Sequence, residues 1–316
     1  KLPFASGKTY AVLGLGKTGR ATIASLLESD AQVIAWDDGE GARSAAATEF
    51  PTITIAPVAQ WNYATLAALV MSPGIFLTHE AVKKAEANGV EILGDIELLY
   101  RAQPHATYIA ITGTNGKSTT TSLIAHILKA CGKRVEMGGN IGIAALSMAP
   151  LGQGEFYVLE LSSYQLELLH TTRCNTAVWL NISPDHLDHH GSMENYVAAK
   201  QHIFARQQPD DSAIIGVDDA TSVAIARLMI AEKKQRVIPI SVTQTVGNGV
   251  EVQNATLRAR FLGNDTADLS PIRSLQGEHN WQNAAAAYAA AQRAHPTTCR
   301  ASADHVRAVN AARGAE

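Results

Sequence analysis

Three things are scarce in this chain of 316 residues: an excess of one charge, cysteine, and long apolar runs. The formal net charge is only −3, from 26 Lys and Arg against 29 Asp and Glu. No global field therefore favours nucleic acid or an anionic membrane surface as a partner. The three cysteines, Cys131, Cys174 and Cys299, form no C-x-x-C pair and leave an odd count, which argues against a disulfide framework and suits a reducing compartment. No apolar run approaches the ~18 residues of a membrane span. The chain enters a strand pattern at once, without the profile of a signal peptide, so the expectation is a cytoplasmic protein. Hydrophobic residues make up 46% and charged residues 17%, enough apolar material for two ordinary cores.

The pattern is α/β. TYAVLG reads as a strand, LGKTG as a glycine turn and RATIASLLES as an amphipathic helix,. Strands follow at QVIAWDD, ALVMSPGI and VEILGD, the last after the helical HEAVKKAEANG. This is a Rossmann-like parallel unit, with a boundary expected at 95/96. The same order of strand, glycine loop and long helix restarts in TYIAITGTNGKSTTTSLIAHILKACG and continues through EFYVLELSS, NTAVWLNIS, DSAIIGVDD and RVIPISV. Residues 241–275 alternate as antiparallel strands do, and NWQNAAAAYAAAQRAH closes the unit as a helix,. A second, P-loop domain is expected over 96–298, with 299–316 left as a linker or the start of something further.

Gly14, Gly16 and Gly19 follow a strand and open a helix, and Asp37 ends the next strand. Taken alone this resembles a dinucleotide fingerprint and allows a dehydrogenase. The same backbone N–H groups and carboxylate would serve any nucleotide diphosphate, or the turn could carry no ligand at all.

The second glycine loop ends in Gly116-Lys117-Ser118 but has Ile111 where the usual P-loop has its first glycine,. Lys117 can still act as a point charge on phosphates and Ser118 as an oxygen ligand for Mg²⁺, with N–H donors from Thr114 to Lys117. Glu160, at a strand end, is placed where a P-loop fold presents a carboxylate to a metal, with an ordinary solvated strand-end residue as the alternative reading. The run DHLDHH, 185–190, admits three readings: a zinc cluster, a solvated loop, or one histidine sharing a Mg²⁺ site.

GTNGKST at 113–119, GGNIG at 138–142, ELSSYQLE at 160–167, NISPDHLDHH at 181–190, YVAAK at 196–200 and GEHNWQN at 277–283 together resemble the motifs of the Mur ligases. GLGKTG, SPGI and ILGDIELL resemble those of the D-glutamate-adding branch. The resemblance implies an ATP-dependent amide-bond ligase of peptidoglycan synthesis, hence of cell wall, cell shape and cell division. It implies ATP bound by Gly113, Thr114, Asn115, Gly116, Lys117, Ser118 and Thr119, with Asn280 and Asn283 toward the adenine. Mg²⁺, two ions, would be held by Ser118, Glu160, His186 and Lys200, the last carbamylated. Lys117, His186 and Lys200 would be catalytic.

By the same resemblance the first unit would bind UDP-N-acetylmuramoyl-L-alanine, through Gly16, Lys17, Thr18, Asp37, Ser72 and Gly74. Asn140, Ser162, Gln165 and His186 would lie nearer its sugar or peptide. Asp38 departs from expectation, a second acid where a neutral or basic group would suit uracil. D-glutamate would enter through a C-terminal domain that no residues after about 296 can form. The expectation is thus a truncated chain that binds substrates without completing ligation, a monomer with no nucleic-acid or membrane partner. A nucleotide-binding module without activity, another Mur ligase and a folylpolyglutamate synthetase relative remain alternatives.

Overall fold

The computed structural model describes residues 1–261 and 263–294; Cys299 and the expected linker 299–316 lie outside the described residues. The chain folds into two compact units. The first is Lys1–Pro104 with Gly142–Pro150 and Ser162–Thr172; the second is His105–Ile141, Leu151–Leu161 and the chain from Arg173. No helix among the described residues is long and apolar enough to cross a membrane.

In chain order the first unit begins β1 (Thr9–Leu13), α1 (Lys17–Leu27), β2 (Gln32–Trp36), α2 (Glu40–Glu49) and β3 (Thr54–Ile55). It continues β4 (Leu66–Met71), α3 (Glu80–Ala87), β5 (Glu91–Leu93) and α4 (Asp95–Ala102). Its strands form one parallel sheet in the order β3-β2-β1-β4-β5. The order reverses between β1 and β4, so the crevice beyond their carboxyl ends is where such a sheet takes ligands. The Gly14 turn and Ser72 lie there. Apolar residues cover both sheet faces, Val12, Ile23 and Leu26 in one cluster and Leu13, Leu69 and Val82 in the other.

The boundary falls after Pro104, beyond the expected 95/96, because α4 is tied into the first unit by its carboxylates. Glu97 is fully buried and accepts from Thr171 N–H and Oγ1, Thr172 N–H and Oγ1, and His170 N–H. These partners lie more than seventy positions later in sequence, which local patterning does not reveal.

The second unit runs β6 (Thr107–Thr112), α5 (Lys117–Ala130), β7 (Val135–Gly139) and β8 (Phe156–Glu160). After α6 (Ser163–Leu166), which belongs to the first unit, come β9 (Thr176–Trp179), α7 (Leu187–His190), α8 (Met193–Gln201), β10 (Ser212–Gly216) and α9 (Ala220–Glu232). The remainder is β11 (Arg236–Ser241), β12 (Val250–Gln253), β13 (Thr256–Ala259), β14 (Asp265–Asp268) and α10 (Glu278–Ala294). The sheet order is β14-β13-β12-β11-β10-β9-β6-β8-β7. Pairing is parallel from β7 to β12 and antiparallel from β12 to β14.

The antiparallel texture read in 241–275 is therefore real, though β12 joins the sheet parallel to β11. The run Ala284–Ala291 on α10, alanine but for Tyr288, is buried at every position beside α5 and the sheet. A bulkier side chain in place of one of these buried alanines would force the helix off its bed. That packing brings the start of α10 to the loop between β6 and α5.

Candidate active site

β6 is a buried strand flanked by β9 and β8, and its end feeds Gly113–Gly116 directly into α5. Gly116 caps the helix with φ +86°, a left-handed conformation that costs glycine little. A Cβ there would also collide with Asn283 Oδ1. The loop is thus fitted to α10, and the absent glycine at 111 is no loss, since Ile111 is an ordinary buried strand residue.

Two of the N–H groups expected to be offered to phosphate are already engaged. Thr114 N–H donates to Asn181 O at 3.1 Å and Asn115 N–H to Asn181 Oδ1 at 2.9 Å. The expectation of donors from Thr114 through Lys117 is corrected accordingly: the first two hold the loop to β9's end. Lys117 Nζ folds back on the loop, donating to Gly113 O at 3.0 Å and Thr114 O at 2.9 Å.

Glu160, at the end of β8, is buried. It accepts from Ser118 Oγ at 2.7 Å and Asn140 Nδ2 at 3.0 Å. A buried carboxylate beside a hydroxyl is an all-oxygen donor pair, which fits a hard cation such as Mg²⁺ better than a soft one. Asn140, expected near substrate, stands beside this carboxylate.

Lys200 is buried on α8, donating to Thr112 Oγ1 at 3.3 Å and Gly113 O at 3.2 Å. Burial, reinforced by the Lys117 cation, pushes its amine down to about 7, with Asp185 and Glu160 partly opposing. Its ammonium position lies 4.8 Å from the centre of the Tyr196 ring. That ring meets the His186 imidazole edge-on at 6.4 Å. His186 itself is exposed, in a left-handed turn before α7, its Nε2 3.5 Å from Asp185 Oδ2. Tyr196 was not singled out from sequence, although its i,i+4 spacing from Lys200 puts both on one helix face.

Asn283 accepts from Thr120 Oγ1 at 3.1 Å, and Asn280 donates to Gln276 O at 3.1 Å. Beside them a cavity of about 280 Å³ is lined by Asn115, Asn181, Asp218, Thr243, His279 and Gln282, among others. Thr119, in the first turn of α5, is half-buried. Of these, Asn181, Gln282 and Asp218 were missed; NIS and HNWQN contain two of them, but nothing local in sequence shows that they meet.

In the first unit a cavity of about 590 Å³ is lined by Gly14, Gly16, Asp37, Asp38, Ser72 and Gly74, with Phe76 and His79. Asp37 accepts from Leu15 N–H at 2.7 Å and Gly39 N–H at 2.8 Å, which fixes the turn. Asp38 accepts from Trp36 Nε1 at 3.2 Å, so the unexpected acid is partly used by its own strand end. Ser72 Oγ donates to Gly14 O at 3.0 Å. Lys17 Nζ donates to Gly142 O; Thr18 O accepts from Thr22 Oγ1 at 3.0 Å inside α1. Ser162 and Gln165 form a capping box at the start of α6, where Gln165 is buried.

Comparison with known proteins follows the same division. A model described as Mur ligase middle domain matches residues 111–291, and one described as Mur ligase MurD-like, N-terminal domain, matches residues 8–94. The chain is 46% identical over 299 residues to UDP-N-acetylmuramoylalanine–D-glutamate ligase of Caulobacter vibrioides, covering 90% of this chain and 63% of that protein. It is 44% identical over 298 residues to the protein of the same name from Paramagnetospirillum magneticum, covering 92% and 64%. The chain therefore spans less than two thirds of the length of these relatives.

Among solved structures, UDP-N-acetylmuramate:L-alanyl-gamma-D-glutamyl-meso-diaminopimelate ligase from Neisseria meningitides aligns with a TM-score of 0.64 at 18% identity, over 96% of this chain and 98% of that one. A murein peptide ligase from Psychrobacter arcticus aligns at 0.61 and 19%, over 96% and 68%. Those two likenesses are of fold.

Proposed function

The chain belongs to the Mur ligase family, and from that premise we propose that it serves ATP-dependent addition of D-glutamate to UDP-N-acetylmuramoyl-L-alanine in the cytoplasm. The observation that carries the proposal is the gathering of Lys117, Ser118, Glu160 and Lys200 around the end of one loop. A free carboxylate is a poor acyl donor, so the alanyl carboxylate is phosphorylated first and the amine of D-glutamate then displaces phosphate.

Mg²⁺, when bound, screens phosphate charge and orients the transferring group. Ser118 and Glu160 have the oxygens to hold it, and a second ion fits the same proposal with His186 and Lys200. Lys117 leaves its loop carbonyls for the phosphates, where a cation at the transferring group offsets developing charge. The neutral Lys200 amine can add to carbon dioxide and give up a proton to solvent to become a carbamate, so that a side chain otherwise cationic and repelled by Mg²⁺ becomes an anion attracted to it. Asn280 and Asn283 are assigned to the adenine side of the loop, next to the smaller cavity.

The larger cavity, in the first unit, is assigned to the uridine diphosphate. Asp37 spends two acceptor sites on its own turn, so its role toward the ligand is first to hold Leu15 and Gly39 in place. The start of α1 at Gly16 supplies the positive helix end for diphosphate. A dehydrogenase would use this turn but gives no role to the second loop.

The test is a calorimetric titration with UDP-N-acetylmuramoyl-L-alanine, UDP and NADH. The muramoyl nucleotide is expected to bind and NADH to stay silent. NADH binding with no muramoyl nucleotide binding overturns the proposal.

A further inference from the structure

A chain of side chains links the phosphate loop to a charge on the far side of the smaller cavity. Asn181 grips Asn115 by both backbone groups: its Oδ1 accepts from Asn115 N–H at 2.9 Å, and its Nδ2 donates to Asn115 O at 3.2 Å. The same Nδ2 donates to Gln282 Oε1 at 2.9 Å. Gln282 Nε2 donates in turn to Asp218 Oδ2 at 3.1 Å. Asp218 is the terminus, and its other donors are Ser241 Oγ at 2.6 Å, Thr243 Oγ1 at 2.7 Å and the N–H groups of Val242 and Thr243.

An amide side chain can be turned end for end, and nothing in its own shape decides which end is oxygen. An ionised carboxylate can only accept. Asp218 therefore forces the nitrogen of Gln282 toward itself, which leaves the oxygen of Gln282 facing Asn181. That oxygen draws the nitrogen of Asn181, and the oxygen of Asn181 is left for the N–H of Asn115. The charge at one end and the N–H and C=O of Asn115 at the other demand the same direction of every bond. Reversing the amides would set the nitrogen of Asn181 against the N–H of Asn115, two donors face to face. The short Gly113–Gly116 segment has Gly113 at φ +153° and Gly116 at φ +86°, and Asn181 holds its Asn115 from outside.

We infer that Asp218, Gln282 and Asn181 are positioning residues which act in series to hold the phosphate loop in the conformation that receives a nucleotide's terminal phosphates. The inference rests on the reading of that loop as a nucleotide site. The three side chains also line the cavity, so direct contact with a nucleoside is the competing role. The two roles differ in which part of the ligand feels a substitution. A relay acting on the loop is felt by the β- and γ-phosphates; a wall contact is felt by the nucleoside.

The experiment measures binding of two probes with Mg²⁺ present, adenosine 5′-(β,γ-imido)triphosphate and AMP, to wild type, Asp218→Asn, Gln282→Leu and the double variant. Each single substitution is expected to weaken the triphosphate about three- to tenfold, the worth of a modest hydrogen bond. The double variant is expected to be no weaker than Gln282→Leu alone, because a relay cut once carries nothing further. AMP affinity is expected to be unchanged throughout. Losses that add, or that appear equally with AMP, overturn the relay while leaving the nucleotide site intact. A wild-type chain that binds no triphosphate overturns the reading of the site itself, and the relay with it.

Gln282→Glu gives a second handle that keeps the shape. It sets two carboxylates side by side, which raises the pKa of the pair. Triphosphate binding relative to wild type is expected to be weak at pH 8 and to recover toward pH 5, where the protonated carboxyl donates to Asp218 and accepts from Asn181 as the amide did. A relative affinity that does not change with pH overturns the relay.

Discussion

Asp95 and Glu97 stand two positions apart on α4, both almost wholly buried, and the structure gives them opposite effects on stability. Glu97 is surrounded by donors. Burial would raise its pKa, but the hydroxyls of Thr171 and Thr172, the His170 N–H and Arg101 outweigh burial and hold it at about 2. Asp95 has few. Its Oδ1 accepts from Ile96 N–H at 3.0 Å, and its Oδ2 has no hydrogen-bond partner among the described residues. Burial therefore dominates and raises its carboxyl to about 6, against the smaller lowering influences of Ile96, Gln165 and Ala145.

For Glu97 the folded pKa lies below the ordinary 4.5. Its contribution is present above pH 4.5 and is lost as the pH falls toward 2, roughly 3 kcal/mol in all. For Asp95 the folded value lies above the ordinary 3.8. Its contribution is present below pH 3.8 and lost as the pH rises through 6, again roughly 3 kcal/mol. At pH 7.5 the protein thus retains the first contribution and has lost the second. Urea unfolding at that pH is expected to show Glu97→Gln destabilised by about 3 kcal/mol, since an amide nitrogen now faces N–H donors that cannot turn away. Asp95→Asn is expected to show no comparable loss. Between pH 4 and 6.5 wild type is expected to lose stability relative to Asp95→Asn. Equal losses from the two substitutions at pH 7.5, or no pH slope between wild type and Asp95→Asn, would refute the reasoning.

Gly116→Ala must adopt φ +86° with a Cβ driven into Asn283. It is expected to lose triphosphate binding and about 1–3 kcal/mol of stability, read by calorimetry and urea unfolding. Lys117→Met is expected to weaken the triphosphate at least tenfold while leaving AMP nearly unchanged, because a point charge on outer phosphates is removed. With the Lys200 amine at about 7, its neutral fraction grows as the pH rises through 7, far below an ordinary lysine near 10.4. A carbamate signal from ¹³C-labelled bicarbonate is expected at pH 8 and absent in Lys200→Arg, and a signal that persists in the variant would dissociate the carbamate from this residue.

What could be read from the sequence was chemistry carried by neighbours. Gly113 to Ser118 are contiguous, and a loop entering a helix presents backbone and side-chain groups in a fixed order whatever surrounds it. The turn at Gly14, the strand-end Glu160 and the antiparallel β12–β14 were legible for the same reason: strand, turn and side-chain alternation are local properties. Glu97 was not legible as a buried anchor. Nothing in DIELLYRA marks it out, and its burial is decided by Thr171 and Thr172. Nor could sequence show that Gly142–Pro150 and Ser162–Thr172 join the first unit, since no linker composition marks either departure.

The same contrast separates the two kinds of polar residue at the phosphate loop. Lys117 and Ser118 are identified by what they can offer a ligand, and a motif encodes that offer. Asn181, Gln282 and Asp218 are identified only by what they offer one another, across separations of 101 and 64 positions. A buried or half-buried amide has no preferred direction until something acceptor-only or donor-only is attached to one end. The meaning of Gln282 therefore lies in a carboxylate on another strand end. A motif names the groups that meet the ligand; the fold supplies the groups that keep those in register. A substitution that spares every motif residue yet removes the charge of Asp218 is then expected to act at the phosphates, because the amides between them lose the acceptor-only anchor at that end of the series.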